Sequence, residues 1–232
     1  DCVLETGGSD QWGNLTSGAD LVHRVEGKSV HLIATPLITN ADGKKFGKSE
    51  GNAVWLDKDL TSAYAMYQFW LNTDDADVVD RLKVFTFLTR KEIEDYEQQV
   101  LAEPHKRAAQ RRLALEVTEL VHSQKEALAA EKASQALFGQ GELAELEPET
   151  LRVALKELPH ISCETGISVV TALVESGLVE SNGQARRAIA QGSVAVNKIK
   201  VTDELAVIDQ YLPGKVAVLS RGKKSLAGLF FG

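Results

Sequence analysis

The sequence of 232 residues lacks the features of several protein classes. Its two cysteines, Cys2 and Cys163, lie far apart, which argues against a disulfide framework or a zinc site. No apolar run approaches the roughly 20 residues that cross a bilayer. No basic start followed by an apolar segment indicates a signal peptide. We therefore expect a cytoplasmic protein without membrane contacts.

The chain also lacks a phosphate-binding P-loop, although Gly47-Lys48-Ser49 resembles the end of one. That motif needs a glycine five positions before its second glycine. Asp42 occupies this position, and no helical pattern starts directly after Ser49. Spacing and context both exclude the P-loop.

The composition is that of a globular protein, with 44% hydrophobic and 25% charged residues, and the length allows one or two domains. The net charge of −7 is unevenly distributed. Residues 165–232 carry eight Lys or Arg against five Asp or Glu, so this tail has a net charge of +3 and the remainder −10. A basic tail on an acidic body keeps nucleic acid as a candidate partner.

Residues 40–52 form the most distinctive stretch, with three lysines and three glycines and no apolar periodicity. Glycine lets a loop change shape at little cost, and lysine supplies mobile positive charge. This pattern predicts a loop that closes over phosphates. A solvated basic turn is the alternative from this stretch alone.

Two motifs carry a family resemblance. Lys45-Phe46-Gly47-Lys48-Ser49 resembles the Lys-Met-Ser-Lys-Ser signature of class I aminoacyl-tRNA synthetases, in the form that is similar to bacterial-type tyrosyl-tRNA synthetases. Residues 7–14, Gly-Gly-Ser-Asp-Gln-Trp-Gly-Asn, resemble the second catalytic motif of the same family. The resemblance implies a tyrosine–tRNA ligase, which activates tyrosine with ATP and transfers it to tRNA-Tyr.

The resemblance also implies the role of each site residue. Magnesium would accompany ATP, and no metal bound by the protein is expected. Without the resemblance, Asp10 could simply cap the helix that follows. The implied catalytic residues are Lys45, Lys48 and Ser49; the residues that bind ATP or the adenylate are Gly7, Gly8, Asp10 and Lys48; and Gln11 faces the amino acid.

We predict a multidomain fold. Residues 1–60 form a partial Rossmann-like α/β half of a catalytic domain, with the lysine loop. Helical periodicity over residues 61–158 predicts an α-helical domain, which in the family meets the tRNA anticodon arm. Residues 159–165 are predicted to be a linker. Residues 166–232 are predicted to form a small α+β domain.

The tail domain has its own pattern. Residues 181–192 read as a capped helix with a glycine stop, and residues 194–201 as a hairpin. Together they resemble an RNA-binding domain first seen in a small-subunit ribosomal protein. A small α/β cap with ordinary turn lysines is the alternative. The side chains expected on RNA phosphates are those of Arg186, Arg187, Lys198, Lys223 and Lys224.

Two departures from the family pattern matter. The His-Ile-Gly-His type signature is absent, and Glu5 stands where glutamine is more frequent. We therefore expect the chain to be the C-terminal portion of a longer, homodimeric enzyme and to be inactive by itself. The alternatives are a truncated, non-catalytic RNA-binding protein and a tryptophanyl-type class I synthetase.

Overall fold

The computed structural model describes residues 2–39, 53–139 and 141–232. The chain divides into two compact units, Asp1–Ala53 and Val54–Gly232. Among the described residues no helix is long and apolar enough to cross a membrane. Lys45, Lys48 and Ser49, predicted to be catalytic, lie outside the described residues.

The first unit is a single β–α–β motif. Strand β1, Leu4–Gly8, leads through a 3₁₀ turn into helix α1, Trp12–Glu26, and strand β2, His31–Thr35, returns parallel to β1. Gly27 ends α1 with a φ of 66°, in the left-handed region that favours glycine. Gly7 and Gly8 still belong to β1, where they pair with Ala34 and Thr35 of β2.

The second unit begins with a helical region. Its six α-helices are α2 Ala63–Leu71, α3 Asp75–Phe85, α4 Arg90–Ala102, α5 Ala108–Val121, α6 Gln124–Phe138 and α7 Pro148–Lys156. Helix α2 is apolar on most sides and buries Tyr64, Met66, Tyr67 and Trp70 in the core of this region. Thr89 and Glu92 form a capping box at the start of α4.

Three arginines near α5 make contacts within the protein. Arg107 precedes the helix, and its Nη2 donates to the carbonyl oxygens of Leu71 at 2.7 Å and Thr73 at 3.1 Å. Arg111 donates to a backbone carbonyl and Arg112 pairs with a glutamate of α5. The Arg107 bonds link the start of α5 to the end of α2, whereas the contacts of Arg111 and Arg112 are local to α5.

The tail is an α+β module around a five-stranded sheet. Its elements are β3 His160–Cys163, α8 Val169–Glu175, α9 Asn182–Ala190, β4 Val194–Val196, β5 Ile199–Lys200, β6 Val216–Arg221 and β7 Ser225–Phe231. The strand order is β3-β7-β6-β4-β5, with β3 parallel to β7 and the other pairs antiparallel. Leu173, Ile189, Leu219 and Leu229 are fully buried between helices and sheet.

Residues 159–165, predicted to be a linker, contain a strand. Strand β3 lies within this segment, with His160 opposite Gly228 and Cys163 opposite Phe231. The chain passes from α7 into the edge of the tail sheet within a few residues. The predicted linker thus contributes an edge strand to the tail sheet, while the three predicted domain bounds stay a prediction.

Candidate functional site

The turn after β1 is shaped by its glycines. A Cβ atom on Gly8 would lie 2.8 Å from Oδ1 of Asp10 and 2.9 Å from Cδ2 of Leu37, both closer than real contacts allow. A Cβ on Gly7 would lie 3.2 Å from Cβ of Gln11. The absence of side chains at residues 7 and 8 therefore leaves room for Asp10 and Gln11.

Asp10 and Gln11 lie in the 3₁₀ turn Ser9–Gln11, immediately before α1. The N-cap residue of α1 is Gln11, and no side chain caps this helix end. Asp10 is therefore not the helix cap that was the alternative to a binding role. Nδ2 of Asn14 donates to Oε1 of Gln11 at 2.8 Å. This hydrogen bond orients the side-chain amide of Gln11 in the exposed turn.

Glu5 faces helix α1. A Cβ on Gly18, in the middle of α1, would lie 3.1 Å from Oε2 of Glu5, so the glycine provides space for the carboxylate. Gly7 lies two residues along the strand and faces the same helix, toward Gln11 and Leu15. The negative charge of Glu5 is thus on the helix side of β1.

A second candidate site lies at the end of α9. Ser181 caps this helix by accepting a hydrogen bond from the Gln184 amide, as predicted. Arg186 and Arg187 are both exposed on α9. Nε of Arg186 lies 3.9 Å from a carboxylate oxygen of Glu204, a long pair between side chains that are about half exposed. Such a pair contributes little and leaves the guanidinium accessible to another anion.

The turn between β6 and β7 lies beside the segment that follows α9. The amide of Gly222 donates to the carbonyl of Ser193 at 2.7 Å. Lys223 and Lys224, the next two residues, are exposed. The structure therefore brings the two turn lysines close to the end of the helix that carries Arg186 and Arg187.

Lys198 differs from the other predicted RNA-binding residues. Its Nζ donates to the carbonyl oxygens of Gly141 at 2.6 Å and Gly139 at 3.2 Å, beyond the end of α6. Asn197 and Lys198 both have positive φ, 49° and 67°, and form the central pair of the β4–β5 turn. Lys198 thus belongs to the turn and to neither strand. The alternation of side chains along a strand therefore does not predict the direction of its side chain.

Lys200 was missed by the sequence interpretation. A Cβ on Gly192 would lie 2.6 Å from Nζ of Lys200, so the lysine side chain lies across this glycine, two residues past α9. Lys200 is exposed, and no ion pair with a carboxylate involves it within the described parts of the chain. The sequence did contain a signal for this contact. Lys200 lies in the predicted hairpin, which folds back directly after the glycine that ends the predicted helix.

Gly192→Ala tests this arrangement. Gly192 has a φ of 64°, where a non-glycine residue costs roughly 1–2 kcal/mol. We expect the free energy of unfolding to fall by about that amount and Lys200 to be displaced. Gly183→Ala, in α9 with open space around its Cβ, is the matched control and should be neutral or slightly stabilising. Chemical denaturation measures the free energy of unfolding of both variants. Equal losses in the two variants would contradict the special requirement for glycine at residue 192.

Comparison with known proteins identifies the family of the chain. The model of tRNA synthetases class I (W and Y) matches residues 1–139, and that of the tyrosine–tRNA ligase SYY-like C-terminal domain matches residues 150–227. The chain is 62% identical over 231 residues to a tyrosine–tRNA ligase of Leifsonia xyli subsp. xyli, which covers 99% of this chain and 52% of the relative. For the tyrosine–tRNA ligase of Streptomyces coelicolor the identity is 52%, covering 98% and 55%.

Among solved structures, the chain is similar to that of a C-terminally truncated mitochondrial tyrosyl-tRNA synthetase from Aspergillus nidulans. It is 35% identical, has a TM-score of 0.50, and covers 59% of this chain and 39% of its own. The chain spans about half the length of the curated relatives it matches. A class I synthetase segment is thus followed by the C-terminal domain typical of the tyrosine enzymes. The chain belongs to the family of class I tRNA synthetases (W and Y).

Proposed function

We propose that this chain is part of a tyrosine–tRNA ligase. One observation carries the proposal: the chain is 62% identical to such a ligase over 231 residues. The match of residues 150–227 to the tyrosine-type C-terminal domain favours the tyrosine enzyme over the tryptophan enzyme. In the reaction, the tyrosine carboxylate attacks the α-phosphate of ATP and releases pyrophosphate. The tyrosyl group of the adenylate then passes to tRNA-Tyr.

In this proposal the turn after β1 holds the adenylate. The carboxylate of Asp10 accepts hydrogen bonds from the ribose hydroxyls, and Gly7 and Gly8 let the ligand approach the backbone. The space that Gly8 leaves for the Asp10 carboxylate supports this role. The amide of Gln11, held by Asn14, faces the amino acid.

The lysine loop acts on the leaving group. Pyrophosphate gathers negative charge as the bond breaks, and preorganised cations stabilise that charge. We assign this task to Lys45 and Lys48, with Ser49 beside them in the motif. Magnesium enters with ATP as part of the substrate. No covalent intermediate with the protein is needed.

The remaining parts serve the tRNA and the assembly. We assign residues 61–158 to the anticodon arm and the tail module to RNA phosphates through Arg186, Arg187, Lys223 and Lys224. The complete enzyme is proposed to be a cytoplasmic homodimer, by its resemblance to the family. The chain alone should bind tRNA without catalysing tyrosine-dependent exchange of pyrophosphate into ATP, because the relatives are about twice as long.

Binding of the purified 232-residue chain to a tyrosine tRNA transcript tests the proposal. We expect binding at 50 mM salt that weakens steeply toward 200 mM, because each phosphate contact releases a counterion. A tryptophan tRNA transcript is the control and should bind less tightly. No binding at 50 mM, or salt-independent binding, would contradict the proposal. Exchange activity of the chain alone would contradict the assignment of catalysis to the longer enzyme.

A further inference from the structure

We propose that Asn14 is a positioning residue for the activation of tyrosine. Its side chain occupies the amide oxygen of Gln11 and so turns the two N–H groups of that amide toward the substrate. This inference rests on the proposed function and adds a residue to the same site. Gln11 is assigned to the amino acid, and Asn14 acts only through Gln11.

Both side chains are presented by the start of α1. Gln11 precedes the helix as its N-cap residue, and Asn14 is the third residue of the first turn. Residues three apart lie on the same face of a helix, and Nδ2 of Asn14 lies 2.8 Å from Oε1 of Gln11. Gly7 gives the Gln11 stem room, because a Cβ there would lie 3.2 Å from Cβ of Gln11. The amide of Gln11 is thus placed by β1 at its stem and by Asn14 at its tip.

The direction of this hydrogen bond decides what Gln11 offers to a ligand. A glutamine amide carries one acceptor oxygen and one nitrogen with two donor hydrogens. Asn14 takes the oxygen, so the nitrogen is left for the substrate. The ammonium group of an amino acid has only donors, whereas its carboxylate has only acceptors. An amide held in this way fits the carboxylate, which attacks the α-phosphate in the proposed reaction.

Without Asn14 the amide of Gln11 would lose this polarity. The last torsion of a glutamine side chain is broad and roughly two-fold, so a free amide populates both orientations. In the flipped orientation the amide oxygen faces the carboxylate and repels it. Much of the rate of such a reaction comes from holding the reacting groups in the right geometry, and small misplacements lower it. Asn14 therefore affects the rate of activation through the orientation of Gln11.

The stability of α1 does not depend on the Asn14 side chain. Asn14 is exposed, and the N-cap position of the helix makes no side-chain hydrogen bond. Thr16 and Ser17, by contrast, donate back to backbone carbonyls of the same helix. Alanine has a higher helix propensity than asparagine, so Asn14→Ala should leave the fold intact.

Rapid-mixing measurements of adenylate formation by the complete synthetase test the inference, with tyrosine and ATP varied separately. We expect Asn14→Ala to slow this step by about tenfold, with unchanged affinity for ATP. Asn14→Asp should slow it by about 10²-fold, because a carboxylate accepts from the Gln11 nitrogen and turns the amide oxygen toward the substrate. Ser17→Ala and Ser17→Asp are the matched controls, since they introduce the same residues one turn further along α1, and they should leave the rate nearly unchanged.

A double-variant cycle separates positioning from a general structural effect. If Asn14 acts through Gln11, Asn14→Ala should cause no further loss in a Gln11→Ala enzyme. Additive losses, a lower melting temperature of Asn14→Ala, or an Asn14→Asp enzyme as fast as the wild type would each overturn the inference. A complete wild-type enzyme that forms no tyrosyl-adenylate would instead refute the proposed function.

Discussion

Lys48→Ala in the complete synthetase is expected to slow adenylate formation by about 10²-fold or more, the scale of losing one preorganised charge contact at a transition state. The ammonium is proposed to stabilise pyrophosphate as its negative charge develops. Because that charge is absent from bound tyrosine, the apparent affinity for tyrosine should barely change. A fall in rate with unchanged substrate affinity identifies an interaction made in the transition state.

Lys44→Ala is the matched control for this variant, because it removes the same charge one residue before the five-residue motif. Rapid-mixing measurements of adenylate formation, with ATP and tyrosine varied separately, distinguish the two lysines. Asp10→Ala should instead weaken retention of the adenylate, since its proposed partner is the ribose. Equal losses for Lys44→Ala and Lys48→Ala would contradict a specific role of Lys48 and would indicate a general effect of positive charge in this stretch.

Elements with local signals could be predicted from the sequence. Serine before α9, threonine with glutamate at the start of α4, and glycine after α1 each satisfy backbone groups within a few residues of themselves. The hairpin β4–β5 and the strands β6 and β7 carry continuous apolar stretches next to turn residues. Such patterns determine the element without knowledge of the rest of the fold.

Contacts between distant residues could not be predicted in this way. Strand β3 has four residues, and its partner β7 lies more than 60 residues later. Arg107 lies in a basic stretch of the sequence, yet its positive φ and its bonds to the end of α2 depend on tertiary packing. Lys198 belongs to the same class, because its partners follow α6. Basic residue type alone does not separate a contact within the protein from a contact with RNA.

The two candidate sites also differ in how much of each could be predicted from the sequence. The first site lies within five consecutive residues, Gly7, Gly8, Asp10 and Gln11 among them, so their proximity was evident from the motif. The structure added the space that Gly8 leaves for Asp10. In the tail, by contrast, the surface combines α9, β5 and the β6–β7 turn. Lys200 joins this surface only because β5 folds back beside Gly192.

Arg186→Glu with Lys224→Glu is expected to abolish binding of the 232-residue chain to tyrosine tRNA under physiological salt. The two residues lie on α9 and in the β6–β7 turn, which the Gly222–Ser193 hydrogen bond holds beside the segment after α9. Each change removes one phosphate contact and adds a negative charge that repels the next phosphate. At residue 186 the new carboxylate would also lie near Glu204.

Lys156→Glu with Lys215→Glu is the control, since it changes the net charge of the chain by the same amount. Lys215 precedes β6 and Lys224 follows it, so the six-residue strand places them roughly 20 Å apart or more. If the basic surface around Gly192 is the RNA interface, the control pair should lower affinity only modestly, through the long-range field. Circular dichroism should show both variants folded. Equal losses in the two variants would mean that net charge, and not this surface, governs binding, and retained binding in the first would exclude Arg186 and Lys224 from the interface.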